Sequence, residues 1–202
     1  MAGSDRKLRY GGLLENPYIS QIQRDILDYG RWQGLVSIIK ALKPANILDV
    51  GCGLGENSRA CAFGYVGIDN SAPRIFHAGR KYAAANFILG NGVSLPVKPR
   101  TFDLVMLLDT SHHLTDAEFS SVLAGMAAAS RRWILVSDPV LHRGQSRISR
   151  FFYKLDRGGE FRNVEHMKML LGDCPALMLE AIHYFTTFPG IYRRGAFLLK
   201  LR

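Results

Sequence analysis

Short apolar runs alternate along this chain with stretches whose apolar residues recur every three or four positions. The runs are Ile47-Leu48-Asp49-Val50, Tyr65-Val66-Gly67-Ile68, Phe87-Ile88-Leu89, Phe102 to Leu108 and Trp133 to Val136, all of strand length. Residues 72–85 and 116–129, which lie between them, read as helices. Strands alternating with helices predict an α/β layer structure in which helices cover both faces of a mostly parallel sheet. The unbroken run Leu104 to Leu108 suits a central strand buried on both sides. Upstream, Asn16-Pro17 predicts a helix start, with Ile19, Ile22, Ile26 and Tyr29 on one face. A second helix over about Gln33 to Leu42 should stop before Pro44. Downstream, Leu177 to Thr187 and Gly195 to Leu201 predict two further strands joined around Pro189-Gly190. No internal repeat or low-complexity segment interrupts the pattern.

At the end of the first strand the pattern gives way to glycine, as Asp49-Val50-Gly51-Cys52-Gly53-Leu54-Gly55-Glu56. A strand, a tight loop and a helix are expected, because only glycine lets the backbone turn sharply and approach a ligand closely. The spacing excludes two common phosphate loops. A dinucleotide fingerprint needs its third glycine one residue later, where Glu56 stands, and a Walker loop needs a Gly-Lys-Ser or Gly-Lys-Thr ending that does not follow. The second strand ends in Asp69, eighteen positions beyond Gly51. A carboxylate about 20 residues past such a loop can accept both hydroxyls of a ribose, which points to a nucleoside ligand.

Asp49-x-Gly51-x-Gly53-x-Gly55 resembles motif I of the class I S-adenosylmethionine-dependent methyltransferases. Phe102-Asp103-Leu104-Val105 followed by His112-His113-Leu114-x-Asp116 resembles the fourth motif of the small-molecule members, so the likeness runs to about residue 116. It implies a single doubly wound, Rossmann-like sheet of seven strands, mostly parallel with a C-terminal antiparallel hairpin. It also implies that Asp49 orients the loop and the methionine amino group, and that an acid or amide after the third strand meets the adenine. Here that pair is Gly90-Asn91, whose amide oxygen can still accept from an exocyclic amine; Asn91-Gly92 equally reads as a tight turn. The implied cofactor is S-adenosylmethionine, released as S-adenosylhomocysteine. Its implied site is Asp49, Gly51, Cys52, Gly53, Gly55, Asp69, Asn70, Asn91, Gly92 and Leu108, with no metal.

Composition narrows the picture. A chain of 202 residues with 48% hydrophobic content can build one domain over 1–202, with 1–15 expected to be flexible, 16–43 forming N-terminal helices and 140–175 an acceptor-side insertion. No apolar run reaches the roughly 18 residues of a membrane span, and the polar start Met1 to Lys7 lacks a secretory signal, so a soluble cytoplasmic protein is expected. Cys52, Cys61 and Cys174 lack metal-site spacing and read as reduced thiols. The net charge of +9 favours phosphate-bearing or anionic partners. Between Arg131 and Lys168 nine basic residues face four acidic ones.

The expected activity is methyl transfer to an oxygen or nitrogen of a small-molecule acceptor, with a lipophilic one as an option if residues 143–157 meet a membrane. Holding nucleophile, methyl carbon and sulfur in line is the main requirement. A hydroxyl acceptor also profits from a general base, and His112 and His113 stand at the strand edge where ligands of open α/β sheets bind; packing and helix capping are their bland alternatives. His142 is a weaker candidate, while His77, His166 and His183 have no motif context. Residues 143–157 are expected to form a lid helix with Ile148, Phe151, Phe152 and Leu155 turned onto the acceptor pocket and Arg147, Arg150 and Lys154 outward. Such a helix also has the makeup of a binder of anionic membrane surfaces. Two other readings stay open: a nucleic-acid (RNA) methyltransferase, disfavoured because no Asn-Pro-Pro-Tyr-like motif follows the fourth strand and there is no separate binding module and, outside residues 143–154, no basic strip interleaved with stacking aromatics, and an S-adenosylmethionine-binding protein without activity.

Overall fold

The computed structural model describes residues 31–60, 64–155, 159–187, 190 and 192–202. The expected helix over 16–29 and the stretch 1–15 lie outside these residues. In chain order the elements are α1 (Arg31–Leu42), β1 (Ile47–Val50), β2 (Tyr65–Asp69), α2 (Ala72–Lys81), β3 (Asn86–Leu89), β4 (Phe102–Leu108), α3 (Asp116–Ala129), β5 (Ser130–Pro139), α4 (Arg147–Leu155), α5 (Val164–Gly172), β6 (Leu177–Thr186) and β7 (Arg193–Leu201). They form one seven-stranded sheet in the order β3-β2-β1-β4-β5-β7-β6. The first five strands run parallel, and β7 is antiparallel to both β5 and β6. The seven-stranded, mostly parallel arrangement with its C-terminal antiparallel pair is therefore as the motifs imply.

Period-two alternation sorts the central strands onto two cores. Leu48, Val50, Val105, Leu107, Ile134 and Val136 face α3 and α5, where they meet Phe119, Leu123, Met126, Met167 and Leu171. Ile47, Leu104, Met106, Leu108 and Leu135 face the other way, onto Leu35, Ile38 and Ile39 of α1. Both faces are covered, which is why β4 reads as a continuous apolar run rather than as an alternating one. α3 begins with a reciprocal cap: the Thr115 hydroxyl accepts from the Glu118 N–H, and the Glu118 carboxylate accepts from the Thr115 N–H at 2.8 Å.

Register sets the functional edge. Val50 pairs with Ile68 on one side and Leu107 on the other, and Leu107 pairs with Val136. The residues that follow, Gly51, Asp69, Asp109 and Ser137-Asp138, are thereby brought to one carboxyl-terminal rim of the sheet. This is where an open α/β sheet receives its ligand.

Two expectations are corrected. The glycine loop leads into a 3₁₀ turn over Glu56–Ala60, not directly into an α-helix. More consequentially, the apolar positions of α4 are not all turned inward. Ile148 is 66% and Phe151 58% exposed, whereas Ser149 and Tyr153 are buried and Phe152 is half-buried. The inward face is chosen by Tyr153, whose hydroxyl donates to the Val140 carbonyl at 3.0 Å and whose ring meets Tyr192 and Phe161 at 4.9 and 4.7 Å. A tyrosine that finds both a polar partner and aromatic neighbours outcompetes two residues with only apolar surface to offer.

Candidate functional site: a glycine loop beside a buried histidine–aspartate pair

The loop after β1 turns on glycines in the left-handed region: φ is 72° at Gly51, 56° at Gly53 and 79° at Gly55. At two of these positions space is also short. A Cβ on Gly51 would sit 2.5 Å from the Thr110 hydroxyl oxygen, and one on Gly55 2.7 Å from the Phe87 ring. Asp49, fully buried beneath the loop, accepts from the Tyr65 hydroxyl at 2.5 Å and from the Asn57 amide at 2.9 Å. Its carboxylate thus ties β1 to β2 and to the exit of the loop, and so orients the loop. Cys52 is buried against Gly67, and burial together with the Asp49 and Asp69 carboxylates pushes its thiol well above the ordinary range.

Asp69 closes the loop from the other side. Its Oδ2 accepts from the Gly53 N–H and its Oδ1 from the Ser71 N–H, both at 2.9 Å, with Arg74 3.9 Å away. A carboxylate has about four acceptor positions, so each oxygen retains capacity for one hydroxyl of a vicinal diol. Asn70 beside it is exposed. The Gly90 N–H donates to the Asp69 carbonyl at 3.0 Å, which brings the end of β3 alongside. Asn91 there forms the tight turn: its side-chain oxygen accepts from the Val93 N–H at 3.0 Å, and its backbone pairs with Ser94. Gly92 lies where a Cβ would stand 3.1 Å from Val50. Leu108, buried at the end of β4, completes the implied set.

Beyond Leu108 the chain passes Asp109, at φ 52° and ion-paired with the buried Arg194, and enters a 3₁₀ turn over Ser111–His113. His112 is buried. Its Nδ1 lies 2.5 Å from Oδ1 of Asp138, itself 2% exposed, while Oδ2 of Asp138 accepts from the His112 N–H at 3.0 Å and from the Ser111 hydroxyl. The imidazole is further held by Phe161, stacked at 5.0 Å with an 8° interplanar angle, and by the ring of exposed His113 at 4.1 Å. Nδ1 therefore carries the proton that Asp138 accepts, which makes Nε2 the basic atom of the ring.

The segment around Phe161 is clamped by Arg162. Its guanidinium donates to Asp116 at 2.8 Å and to the carbonyls of Ser111, Leu114 and Glu160 at 2.9, 2.7 and 3.2 Å. That arginine holds the Asp116 carboxyl below its usual range, with His166 assisting through a 2.9 Å contact. Sequence reasoning missed Asp138, Phe161 and Arg162. Asp138 carried the same signal as Asp69, an acid ending an apolar strand at the ligand edge; Phe161 and Arg162 carried none. His142, half-buried, stays within reach of the Arg143 carbonyl and does not join the pair.

The glycine loop, the acid that ends β2 and the 3-2-1-4-5-7-6 sheet together form the fold that the class I methyltransferase motifs imply. Residues 47–132 match the family described as "Methyltransferase domain". It is 35% identical over 107 residues to a probable chloroplastic tocopherol O-methyltransferase of Oryza sativa subsp. japonica, covering 47% of this chain and 29% of that protein. It is 31% identical over 118 residues to the tocopherol O-methyltransferase of Arabidopsis thaliana, covering 53% and 34%. The chain thus spans about a third of the length of the curated relatives it matches. Magnesium protoporphyrin IX methyltransferase from Synechocystis PCC 6803, solved with S-adenosylhomocysteine, shares the fold, with a TM-score of 0.70 at 20% identity over 90% of this chain and 87% of that one.

Proposed function

We propose that this chain binds S-adenosylmethionine through Asp49, Gly51, Cys52, Gly53, Gly55, Asp69, Asn70, Asn91, Gly92 and Leu108, and methylates an oxygen of a lipophilic, ring-bearing small molecule with His112 as general base. The observation that carries this reading is the Asp138–His112 pair, buried at the same sheet edge as the glycine loop and Asp69. When bound, the sulfonium supplies an electrophilic methyl group, so that an O–CH3 bond forms as the S–CH3 bond breaks. The chain's own part is to position and to take up a proton. Asp138 holds the Nδ1 proton, and Nε2 receives the acceptor's hydroxyl proton as the oxygen attacks. Phe161 keeps water from one face of the imidazole, which strengthens the Asp138 interaction in a low dielectric.

A hydroxyl acceptor needs such a base, whereas a carboxylate acceptor does not, and this favours a phenol or similar group. The aromatic cluster of Phe152, Tyr153, Phe161 and Tyr192 beside His112 suits a ring. The tocopherol activity named for the rice and Arabidopsis relatives agrees with that chemistry. The test combines calorimetry with S-adenosylmethionine and transfer of labelled methyl to a panel of phenolic lipids. Binding and transfer are expected, with His112→Ala losing roughly 100-fold or more in turnover at unchanged cofactor affinity. Binding without transfer to any acceptor would leave a cofactor-binding protein without activity. No binding at all would sink both.

A further inference from the structure

The outward half of α4 divides into two stripes. At about 100° per residue, with Ser149, Phe152 and Tyr153 turned to the fold, Arg147, Arg150 and Lys154 share one flank of the outer face and Ile148 and Phe151 the other. All five are exposed. Ile148 and Phe151 stand 66% and 58% open to solvent on a helix whose position is fixed by the Tyr153 hydroxyl, so their exposure follows from the anchoring of the helix. An aromatic and an aliphatic side chain projecting beside three cations is the makeup of a helix lying in the plane of a bilayer interface. The surrounding chain has the same sign: from Arg131 to Lys168 there are nine basic and four acidic residues.

We propose that α4 docks this protein onto an anionic lipid bilayer, with Ile148 and Phe151 entering the acyl boundary and Arg147, Arg150 and Lys154 resting on the phosphate headgroups. The charge pattern selects this occupant. A second copy packed face to face would bring the same three cations together, and a nucleic acid would leave Ile148 with no favourable contact. The patch is also continuous with the site. The inner side of the same helix presents Tyr153, whose ring lies 4.7 Å from Phe161, which in turn stacks on His112 at 5.0 Å. A lipophilic acceptor held in the bilayer would therefore be delivered beside the base; that last step rests on the proposed methyl transfer, whereas the docking itself does not.

Co-sedimentation of the full chain with phosphatidylglycerol–phosphatidylcholine vesicles and with pure phosphatidylcholine vesicles, without acceptor or cofactor, tests the docking independently of catalysis. Binding is expected to the anionic vesicles only and to weaken with salt. Each of Arg147→Gln, Arg150→Gln and Lys154→Gln should weaken it about fivefold. The pair Ile148→Ser and Phe151→Ser should weaken it further at unchanged circular dichroism and unchanged S-adenosylmethionine affinity, which shows that the variants are folded. Absence of binding to anionic vesicles at low salt overturns the proposal. So does binding that none of these substitutions reduces. Concentration-dependent dimerisation lost in the serine variants, or binding to single-stranded RNA lost in the glutamine variants, in a protein that ignores vesicles, would assign the face to a second copy or to nucleic acid instead.

Discussion

Replacing Asp138 by Asn changes one atom's hydrogen-bonding sense, and the structure says which way the amide must turn. Oδ2 accepts from the backbone N–H of His112 at 3.0 Å, and a backbone N–H cannot reverse its polarity. The oxygen of the substituted amide is therefore held at that position, where the Ser111 hydroxyl can also donate to it. The amide NH2 is left facing Nδ1 of His112, where the carboxylate oxygen now lies at 2.5 Å. Nδ1 must then accept, so the ring proton moves to Nε2, the atom proposed as base. The opposite flip would set two donors against each other in a buried site, at a cost of about 1–3 kcal/mol. The expected loss in kcat is roughly 10²–10⁴-fold, the range over which a positioned general base acts. Steady-state kinetics on a phenolic acceptor across pH, with calorimetry for the cofactor, makes the measurement. Affinity for S-adenosylmethionine should hold within about twofold, because Asp138 is not among the residues proposed to hold the cofactor, and kcat should lose its dependence on a deprotonated histidine. Turnover within a few-fold of wild type with an unchanged pH profile would refute the positioning role, and with it the assignment of His112 as base.

Other expectations follow from the same geometry. Asp69→Ala removes the acceptor of the Gly53 and Ser71 N–H groups as well as the proposed ribose contacts, and should weaken S-adenosylmethionine binding by at least tenfold in calorimetry, each lost charged hydrogen bond being worth roughly 1.5–3 kcal/mol; unchanged affinity would remove Asp69 from the site. Gly51→Ala meets both a positive φ and the Thr110 side chain, and should lower stability by about 2 kcal/mol in denaturant melts. Cys52, buried and with its thiol pushed up, should resist iodoacetamide in the native protein near pH 8 and react once unfolded, by peptide mass mapping. Asp116 is held below its usual range mainly by Arg162, so its contribution to stability is present above the ordinary carboxylate range and fades as pH falls through its lowered value; Asp116→Asn should flatten the pH dependence of stability below about pH 4.

The parallel half of the fold was legible because its signals are local and redundant. Burial of both sheet faces forces each central strand to be apolar along its whole length, and the connecting helices keep their own period, so Ile47 to Val50, Phe102 to Leu108 and Asp116 to Ala129 could be read within a residue or two. The glycine loop was legible for a stronger reason. Three left-handed positions at alternate residues admit few other side chains, so the backbone geometry is written directly into the sequence. Asp69 could be placed because loop length and sheet register fix where an acid that far beyond Gly51 must fall, beside the N–H of Gly53.

Side-chain choices made across long sequence separations were not legible. His112 stood out by residue type, but its partner Asp138 lies 26 positions away, on the neighbouring strand. What joins them is the pairing of Leu107 with Val136, a relation that depends on β4 and β5 being adjacent and in that register. Once strand order is known, the acid ending β5 must fall next to the histidine leaving β4. Helix α4 shows the same limit from the other side. Counting apolar residues turns Ile148 and Phe151 inward, onto the acceptor pocket, since hydrophobic periodicity weighs every buried methylene alike. The helix is instead turned by one hydroxyl, that of Tyr153, which reaches the Val140 carbonyl while its ring fills the space between Phe161 and Tyr192. A single well-placed hydrogen bond contributes about 1 kcal/mol and an aromatic pair about as much again. These together are comparable to burying one Phe, so when the two rotations differ by little more than that, the polar group decides the face and the displaced apolar residues are left on the surface.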